Sequence, residues 1–347
     1  MAPAAGLRGF SHNAGMPQAA GQSSTLRVAL ALGIVYIVWG STYLAIAYVV
    51  ETLPPFLAGS IRFLVAGSLL LAFLVAQHRW RRARGRPSDL SPPRAVEWRT
   101  AAIVGTLLLL GGNGLVMVAE QRIPSYIAAV IIASVPIWMN LIEALLTRRA
   151  PSLLTLGGLA VGLAGVVLLL LPSQGADAID PFGVGLVVAC TLSWTCGSLY
   201  ARRAPLPANG LLGSGMEQVA GGSAMLAVAA FAGEPGRLEL ASVSTASLLG
   251  LAYLIVFGSV IAYTAYVWLL EHAPISTVAT YAYVNPIVAV ALGVLFRAET
   301  LTLRTLLAAV LIIGAVVAMV SGRPRESEET GPAPDTATLE PATDDAK

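Results

Sequence analysis

The stretch Val28–Val49, VALALGIVYIVWGSTYLAIAYV, contains no charged residue over 22 positions. A helix needs about 20 mainly apolar residues to cross the hydrocarbon core of a bilayer. Nine more stretches of this kind follow, and the ten predicted spans are Val28–Val49, Pro55–Gln77, Thr100–Ala119, Ser125–Leu146, Ser152–Leu171, Phe182–Tyr200, Gly210–Ala232, Ser247–Leu270, Ile275–Phe296 and Leu301–Val320. We therefore predict an all-α integral membrane protein with ten transmembrane helices.

The composition excludes the main alternatives to a membrane protein. Of 347 residues, 56% are hydrophobic and 12% are charged, against roughly 45–50% and about 25% in soluble domains. The net charge of +2 does not indicate nucleic-acid binding. The two cysteines, Cys190 and Cys196, lie in one apolar stretch, so we expect neither a disulfide framework nor a cysteine metal site. Motifs for nucleotide binding, serine hydrolysis and zinc proteolysis do not occur in the sequence, and we predict a protein that is not an enzyme and needs no cofactor or metal.

The placement of arginine predicts the orientation. Cytoplasmic loops carry an excess of Lys and Arg, and the second predicted loop holds seven arginines, whereas the first and fifth loops hold none. The excess of arginine over lysine, 20 to 1, is typical of a GC-rich bacterial genome. We therefore predict a multi-pass protein of the bacterial inner membrane with both termini in the cytoplasm. Residues 1–26 and the acidic tail, residues 322–347, are predicted to be disordered because they are too polar to form a core.

The two halves of the chain repeat each other. Trp39 matches Trp194 at a shift of 155 residues, Glu120 matches Glu271 at a shift of 151, and Pro136 matches Pro286 at a shift of 150. The predicted repeats are residues 27–172 and 182–320, with five spans each. Because five is odd, the second repeat enters the membrane in the opposite orientation. Two inverted five-helix repeats are a construction of secondary transporters, which bind substrate between the halves.

Two charges lie at predicted membrane depth, where they are expensive unless they face the bundle interior or a wet cavity. Arg62 is in the second span, and the 155-residue shift matches it with Glu217 in the seventh. One interpretation is that Arg62 binds an anionic group of a substrate and Glu217 binds a cation or proton. The alternatives are a structural ion pair, or two side chains that reach the nearest interface.

Other predicted site residues are polar, aromatic or proline. Pro136 and Pro286 each remove a backbone N–H, so we predict kinked helices that act as hinges; simple tolerance of proline is the alternative. Aromatic walls bind apolar ligands and cations, although the same residues also serve packing between helices. The predicted aromatic and polar cavity residues are Trp39, Trp138, Trp194, Tyr263, Tyr283, Asn113, Asn140, Gln218 and Asn285.

Several short motifs, taken in order, resemble a known family. Trp39-Gly40-Ser41-Thr42-Tyr43, Arg62-Phe63, Ala119-Glu120-Gln121, Val135-Pro136 and Tyr281-Ala282-Tyr283-Val284-Asn285-Pro286 are similar to the EamA family of the drug/metabolite transporter superfamily. The resemblance covers about residues 28 to 320. Glu299-Thr300-Leu301 matches the family pattern before the last span of a repeat, whereas the first repeat has Arg149-Ala150-Pro151 there.

This resemblance implies export of small metabolites, such as amino acids or toxic compounds, by exchange or by coupling to protons. We expect a secondary-active exporter of small amphipathic metabolites that works by alternating access. Its partners are then the small-molecule substrate, the lipid bilayer and protons as the candidate coupling ion, and its oligomeric state is open between monomer and homodimer. The alternatives are an importer, and a membrane sensor or scaffold that transports nothing.

Overall fold

A computed structural model describes residues 18–86, 90–148, 153–170, 179–273, 281–298 and 301–321. Within these ranges the chain is helical and contains no strand. Helices suit a membrane because each backbone N–H and C=O is satisfied within its own segment. The all-helical fold class expected from the sequence is therefore confirmed for this part of the chain.

The helices follow one another with short connections. The first half contains α1 (Gln18–Val49), α2 (Pro55–Ala83), α3 (Ala95–Gly105), a π-helical segment (Thr106–Gly114), α4 (Leu115–Ala119), α5 (Ser125–Ile132), α6 (Val135–Thr147) and α7 (Leu153–Leu170). The second half contains α8 (Pro181–Ala201), α9 (Gly210–Phe231), α10 (Glu234–Arg237), a 3₁₀ turn (Leu240–Ser242), α11 (Thr245–Tyr253), a second π-helical segment (Leu254–Ile261), α12 (Ala262–His272), α13 (Tyr281–Arg297) and α14 (Leu303–Ser321).

Five helical stretches in the described ranges are long and apolar enough to cross a membrane: Leu26–Val49, Pro55–Ala83, Ala95–Ala119, Pro181–Ala201 and Thr245–Tyr266. Four shorter apolar stretches accompany them, Ser125–Met139, which spans α5 and the start of α6, and the helical stretches Leu156–Gly165, Val284–Arg297 and Leu303–Ala315. Helix α9 is 22 residues long but carries Glu217 and Gln218, and it is not among these nine. The chain is thus a membrane protein with several spanning helices.

The structure differs from the predicted spans at both ends of the chain and at the fourth span. Helix α1 begins at Gln18, so residues 18–26, which we predicted to be disordered, are helical. The predicted disordered segments 1–17 and 322–347 lie outside the described residues. The fourth span is not one kinked helix: α5 ends at Ile132 and α6 begins at Val135, which places Pro136 in the first turn of a new helix. Proline is tolerated there because the N–H groups of a first turn have no helical acceptor.

Pro286 lies inside α13 rather than at a helix start, and the kink and hinge expected there stay a prediction. Its missing N–H leaves the carbonyl of Ala282 without the usual helical donor. The two prolines that the repeat matches therefore have different local roles.

One π-helical segment interrupts the third predicted span of each half, Thr106–Gly114 in the first half and Leu254–Ile261 in the second. Neither was predicted, since an extra residue in one turn leaves no mark on a helix that is apolar on all sides. Such segments are rare and occur often at functional sites.

Helices α2 and α9, one from each half, approach each other closely at glycine residues. A Cβ on Gly67 would lie 2.9 Å from the carbonyl oxygen of Gly215 and 2.9 Å from the backbone nitrogen of Val219. Gly222, which the repeat matches with Gly67, is equally restricted, because its Cβ would lie 2.9 Å from the backbone nitrogen of Leu64. Small residues of this kind let membrane helices approach closely.

An ion pair links the connection after α4 to the start of α8. Asp180 caps α8 by accepting a hydrogen bond from the backbone N–H of Phe182 at 2.9 Å, and Arg122 lies 3.2 Å from its other oxygen. The backbone donor, followed by the Arg122 guanidinium, lowers the pKa of Asp180 below its usual value. This end of the bundle is therefore fixed by a charged cap.

Candidate functional site

A cavity of about 950 Å³, counting the space at its mouth, lies between the two halves. Helices α1, α2, α4, α5 and α6 and the first π-helical segment contribute from one half, and α8, α9, the second π-helical segment, α12 and α13 from the other. Seven of the predicted cavity residues line it: Trp39, Arg62, Asn113, Trp194, Gln218, Tyr263 and Asn285. The predicted hinge residue Pro286 also reaches its wall.

Arg62 places a positive charge on the cavity wall. Its side chain is only 4% exposed, its Nε donates to Ser259 Oγ at 2.9 Å, and its Nη1 donates to Asn113 Oδ1 at 3.4 Å. The guanidinium carbon also lies 4.6 Å from the centre of the Phe63 ring. Among the residues that the structure describes, no carboxylate lies within 4.0 Å of it.

The surroundings of Arg62 are polar but neutral, which is unusual for a buried charge. A Cβ on Gly258 would lie 3.2 Å from Arg62 Nη2, so glycine at this position leaves room for the guanidinium. The arginine is therefore positioned by hydrogen bonds and retains N–H groups for an anionic group of a bound molecule.

Gln218 adds a second polar group beside the arginine. The side chain is 1% exposed, and its Nε2 donates to the backbone carbonyl of Ser259 at 3.5 Å. Its Oε1 has no hydrogen-bond partner within the described part of the chain. Because a buried acceptor without a donor costs free energy, Gln218 is suited to accept a hydrogen bond from a molecule in the cavity.

Glu217 does not pair with Arg62, although the repeat matches the two positions. The carboxylate is 7% exposed and accepts a hydrogen bond of 2.8 Å from the hydroxyl of Tyr263. Tyr263 lines the cavity, and Glu217 is not among the lining residues. The phenol therefore connects the buried carboxylate to the cavity wall.

An aromatic cluster around Trp39 of α1 forms part of the cavity wall. The Trp39 ring centre lies 4.9 Å from Tyr266, 5.3 Å from Tyr281 and 6.5 Å from Tyr263. The Trp39 indole N–H donates to the carbonyl of Gly258 at 3.3 Å. The cluster thus ties α1 to α12, α13 and the second π-helical segment.

Trp194, which the repeat matches with Trp39, has a different environment. One of its ring atoms would lie 2.9 Å from a Cβ on Gly112, so the indole packs against a glycine of the first π-helical segment. The repeat shift of 151 pairs Gly112 with Tyr263. At these matched positions, Trp39 therefore packs beside the large side chain of Tyr263, whereas Trp194 packs against Gly112, which has no side chain.

The remaining predicted residues are distributed as follows. The indole N–H of Trp138 donates to Ser134 Oγ within its own turn, at 3.0 Å, and Trp138 is not part of the cavity lining. The side chains of Asn140 and Tyr283 lie outside the described atoms. Asn285 is 5% exposed, with its amide nitrogen 3.2 Å from the carbonyl oxygens of Tyr36 and Tyr281. It therefore joins α1 to α13 beside the cavity.

Sequence analysis did not select Ser259, Gly258 or Tyr266. Ser259 is the one polar side chain in the apolar run Leu254–Ile261. A hydroxyl in such a run is the feature of the sequence that could have indicated a cavity residue. Its role depends on the π-helical turn, which only the three-dimensional structure reveals.

The family model described as the EamA-like transporter family matches residues 26–171 and again residues 181–321. The chain belongs to the EamA-like transporter family. It is 40% identical over 294 residues to the uncharacterized inner membrane transporter YedA of Escherichia coli (strain K12), covering 84% of this chain and 90% of YedA. The resemblance stated from the motifs is thereby confirmed.

More distant relatives agree with this membership. The probable amino-acid metabolite efflux pump of Salmonella typhimurium is 23% identical over 311 residues, covering 83% of this chain and 93% of the pump. A protein of known crystal structure covers 86% of this chain and 96% of its own, with a TM-score of 0.54 at 20% identity. That likeness concerns the fold. YedA and the Salmonella typhimurium protein are named as a transporter and an efflux pump, so the cavity between the halves is the candidate site for transported molecules.

Proposed function

We propose that this protein is a secondary-active exporter of small amphipathic metabolites that carry an anionic group. The observation that supports the substrate class most directly is Arg62, a buried guanidinium on a cavity wall that has only neutral polar partners among the described residues. A carboxylate or similar anion would satisfy its remaining N–H groups with charge-assisted hydrogen bonds. The apolar part of the molecule would contact Trp39, Tyr263 and Trp194.

The ten-helix inverted repeat is part of this proposal, and the packing of the helices supports it. Helix α1 packs on α13 and on the helix formed by α11 and α12. Its repeat partner α8 makes the equivalent contacts in the first half, with α5 and α6 and with α4 and the π-helical segment before it. Helices α2 and α9 pack on each other, as do α7 and α14. Exchanging the two halves leaves this set of contacts unchanged, which is the behaviour of a pseudo-two-fold arrangement.

Alternating access would then move one half against the other around the cavity. The break before Pro136 and the proline inside α13, Pro286, lie in the same position of the two repeats, and both interrupt the regular backbone ladder that stiffens a helix. We propose these two places as the hinges. The positions of the arginines support an orientation with both termini in the cytoplasm, and the similarity to YedA, an inner membrane transporter, supports an inner-membrane location.

Glu217 and Tyr263 form the proposed coupling site. The carboxylate is buried behind the phenol of Tyr263, which lines the cavity. Protonation of Glu217 would change its hydrogen bond with Tyr263 and so change the cavity wall. Export into the medium is supported by the similarity to the probable amino-acid metabolite efflux pump of Salmonella typhimurium.

The exporter proposal is tested by comparing metabolites in cells and medium for bacteria with and without the protein. We expect a small set of compounds with an anionic group to accumulate in the medium only when the protein is present. Accumulation of those compounds inside the cells instead would favour an importer. Identical metabolite profiles, with the protein present at normal abundance in the membrane, would favour a sensor or scaffold.

The coupling site gives a second prediction. Gln has the shape of Glu and accepts the same hydrogen bond from Tyr263, so we expect Glu217→Gln to fold normally. It should abolish accumulation driven by a proton gradient while leaving substrate exchange across the membrane intact. Both rates are measured in liposomes with and without an imposed pH difference, with Glu239→Gln, at an exposed position, as the matched control. An unchanged pH dependence in Glu217→Gln would remove Glu217 from the mechanism.

A further inference from the structure

A second concave surface, here called the lateral groove, lies on the outside of the bundle between α1 and α2. Its floor is the helix formed by α11 and α12, against which both α1 and α2 pack. The groove has a volume of about 1500 Å³, counting the space in front of it. Its described lining is apolar except for Thr264 and for Arg27 at one end.

The walls of the lateral groove are exposed apolar side chains. Leu30, Leu69 and Phe73 are 60%, 53% and 56% exposed, whereas the floor residues Thr264 and Ala265 are small. In a bilayer these walls face hydrocarbon rather than water, and an empty groove would forfeit dispersion contacts along its whole length. A hydrocarbon chain is therefore the occupant that the lining favours.

The length of the groove fits part of an acyl chain lying parallel to the helices. From Arg27 to Ile34 the wall on α1 extends about 10 Å, and from Val260 to Trp268 the floor extends about 12 Å, at 1.5 Å per residue. Arg27 is exposed at the end of this path, and no described carboxylate lies within 4.0 Å of it. A negative headgroup is the complement of that charge.

Beyond the lateral groove, the same face of α2 carries an aromatic residue that is followed by an arginine. Phe73 and Trp80 follow Leu69 by 4 and 11 residues, which places these three side chains on one side of α2. Arg84 follows directly after the end of the helix at Ala83. The Arg84 guanidinium lies 4.1 Å from the centre of the Trp80 ring. Tryptophan and arginine in this arrangement are typical of the headgroup level of a membrane.

The first half fills the equivalent space with its own side chains. The repeat shift of 151 pairs the floor residues Ala265 and Trp268 with Gly114 and Met117. A Cβ on Gly114 would lie 3.1 Å from the Phe56 ring, and Met117 is fully buried. The second half leaves the matched surface open, so its occupant comes from outside the described chain.

We propose that the lateral groove binds one acyl chain of an anionic glycerophospholipid, with the lipid phosphate bound by Arg27. The lipid contacts α1 and α2 of the first half and, in the second half, α12, the π-helical segment before it and Leu211 of α9, so it stabilises one arrangement of the two halves. The proposal concerns a site apart from the central cavity and does not depend on what the cavity transports.

The test compares two lipids that differ only in the headgroup. The full chain is purified in detergent, and its thermal unfolding midpoint is measured with dioleoyl phosphatidylglycerol or with dioleoyl phosphatidylcholine. We expect phosphatidylglycerol to raise the midpoint by several degrees more than phosphatidylcholine does, and native mass spectrometry to detect one retained phosphatidylglycerol. Arg27→Ala should remove the headgroup preference, and Ala265→Phe, which fills the groove, should remove the retained lipid.

Arg82→Ala is the matched control, because Arg82 is exposed on the opposite face of the same end of α2. It should leave the phosphatidylglycerol effect unchanged, and an equal loss in Arg82→Ala would show a general attraction between lipid and surface charge. Equal stabilisation by both lipids, or an effect that survives Arg27→Ala, would overturn the proposal. A lipid effect that appears only after removal of residues 1–17 would assign the groove to that segment. A transport defect in Ala265→Phe with lipid retention intact would assign it to substrate.

Discussion

Replacing Arg62 by alanine is expected to lower transport about 10- to 100-fold at low substrate concentration while leaving the protein at least as stable as the wild type. A hydrogen bond to a charged group is worth about 1.5–3 kcal/mol, and each 1.4 kcal/mol is a factor of ten in affinity. Stability is expected to hold because the alanine removes a buried charge whose described partners are neutral. A residue whose loss costs function and not stability is a binding residue.

Two further variants make this test specific. Arg62→Lys keeps the positive charge but lacks the planar fork that donates to Ser259 and Asn113, so it should give intermediate transport. Arg82→Ala, an exposed arginine on the same helix, should transport normally. Transport is measured in liposomes at equal protein content, and stability by thermal unfolding in detergent. Normal transport by Arg62→Ala, or a large loss of its stability, would mean that the guanidinium has a packing role.

Adding one methyl group at Gly67 is expected to destabilise the protein by about 1–3 kcal/mol, the usual cost of overpacking a tight interface. The new Cβ would lie 2.9 Å from backbone atoms of Gly215 and Val219 on α9, and backbone atoms cannot rotate away as a side chain does. The helices α2 and α9 would have to separate, which would also widen the interface beside Gln218. Gly222→Ala should have a comparable effect, because its Cβ would meet the backbone of α2.

Gly314→Ala is the control for the glycine variants. Gly314 lies in α14, and nothing lies within 4 Å of a Cβ built on it, so alanine should raise stability by up to about 1 kcal/mol through helix propensity. The thermal unfolding midpoints of the variants are compared in the same detergent. Equal midpoints for Gly67→Ala and Gly314→Ala would contradict the close approach of α2 and α9.

The cavity could be predicted in part because polar residues are conspicuous in apolar helices. Arg62, Asn113 and Gln218 were selected for that reason, and all three line the cavity. Glu217 was selected by the same logic and lies behind Tyr263, because a helix of this composition gives no sign of which side faces the cavity. Trp138 was selected for depth and instead bonds within its own turn.

The sequence by itself determined the class of the protein, the approximate position of its helices and its family, since these depend on apolar length, composition and the order of short motifs. Only the tertiary structure decided that α5 and α6 are separate helices, that each third helix contains a π-helical segment, and that Ser259 rather than Glu217 contacts Arg62. The physical reason is the solvent. In lipid, apolar residues on any side of a helix are tolerated, so the periodicity that identifies the inner face of a soluble helix is absent. The inner face is then set by which glycines and polar groups meet between helices.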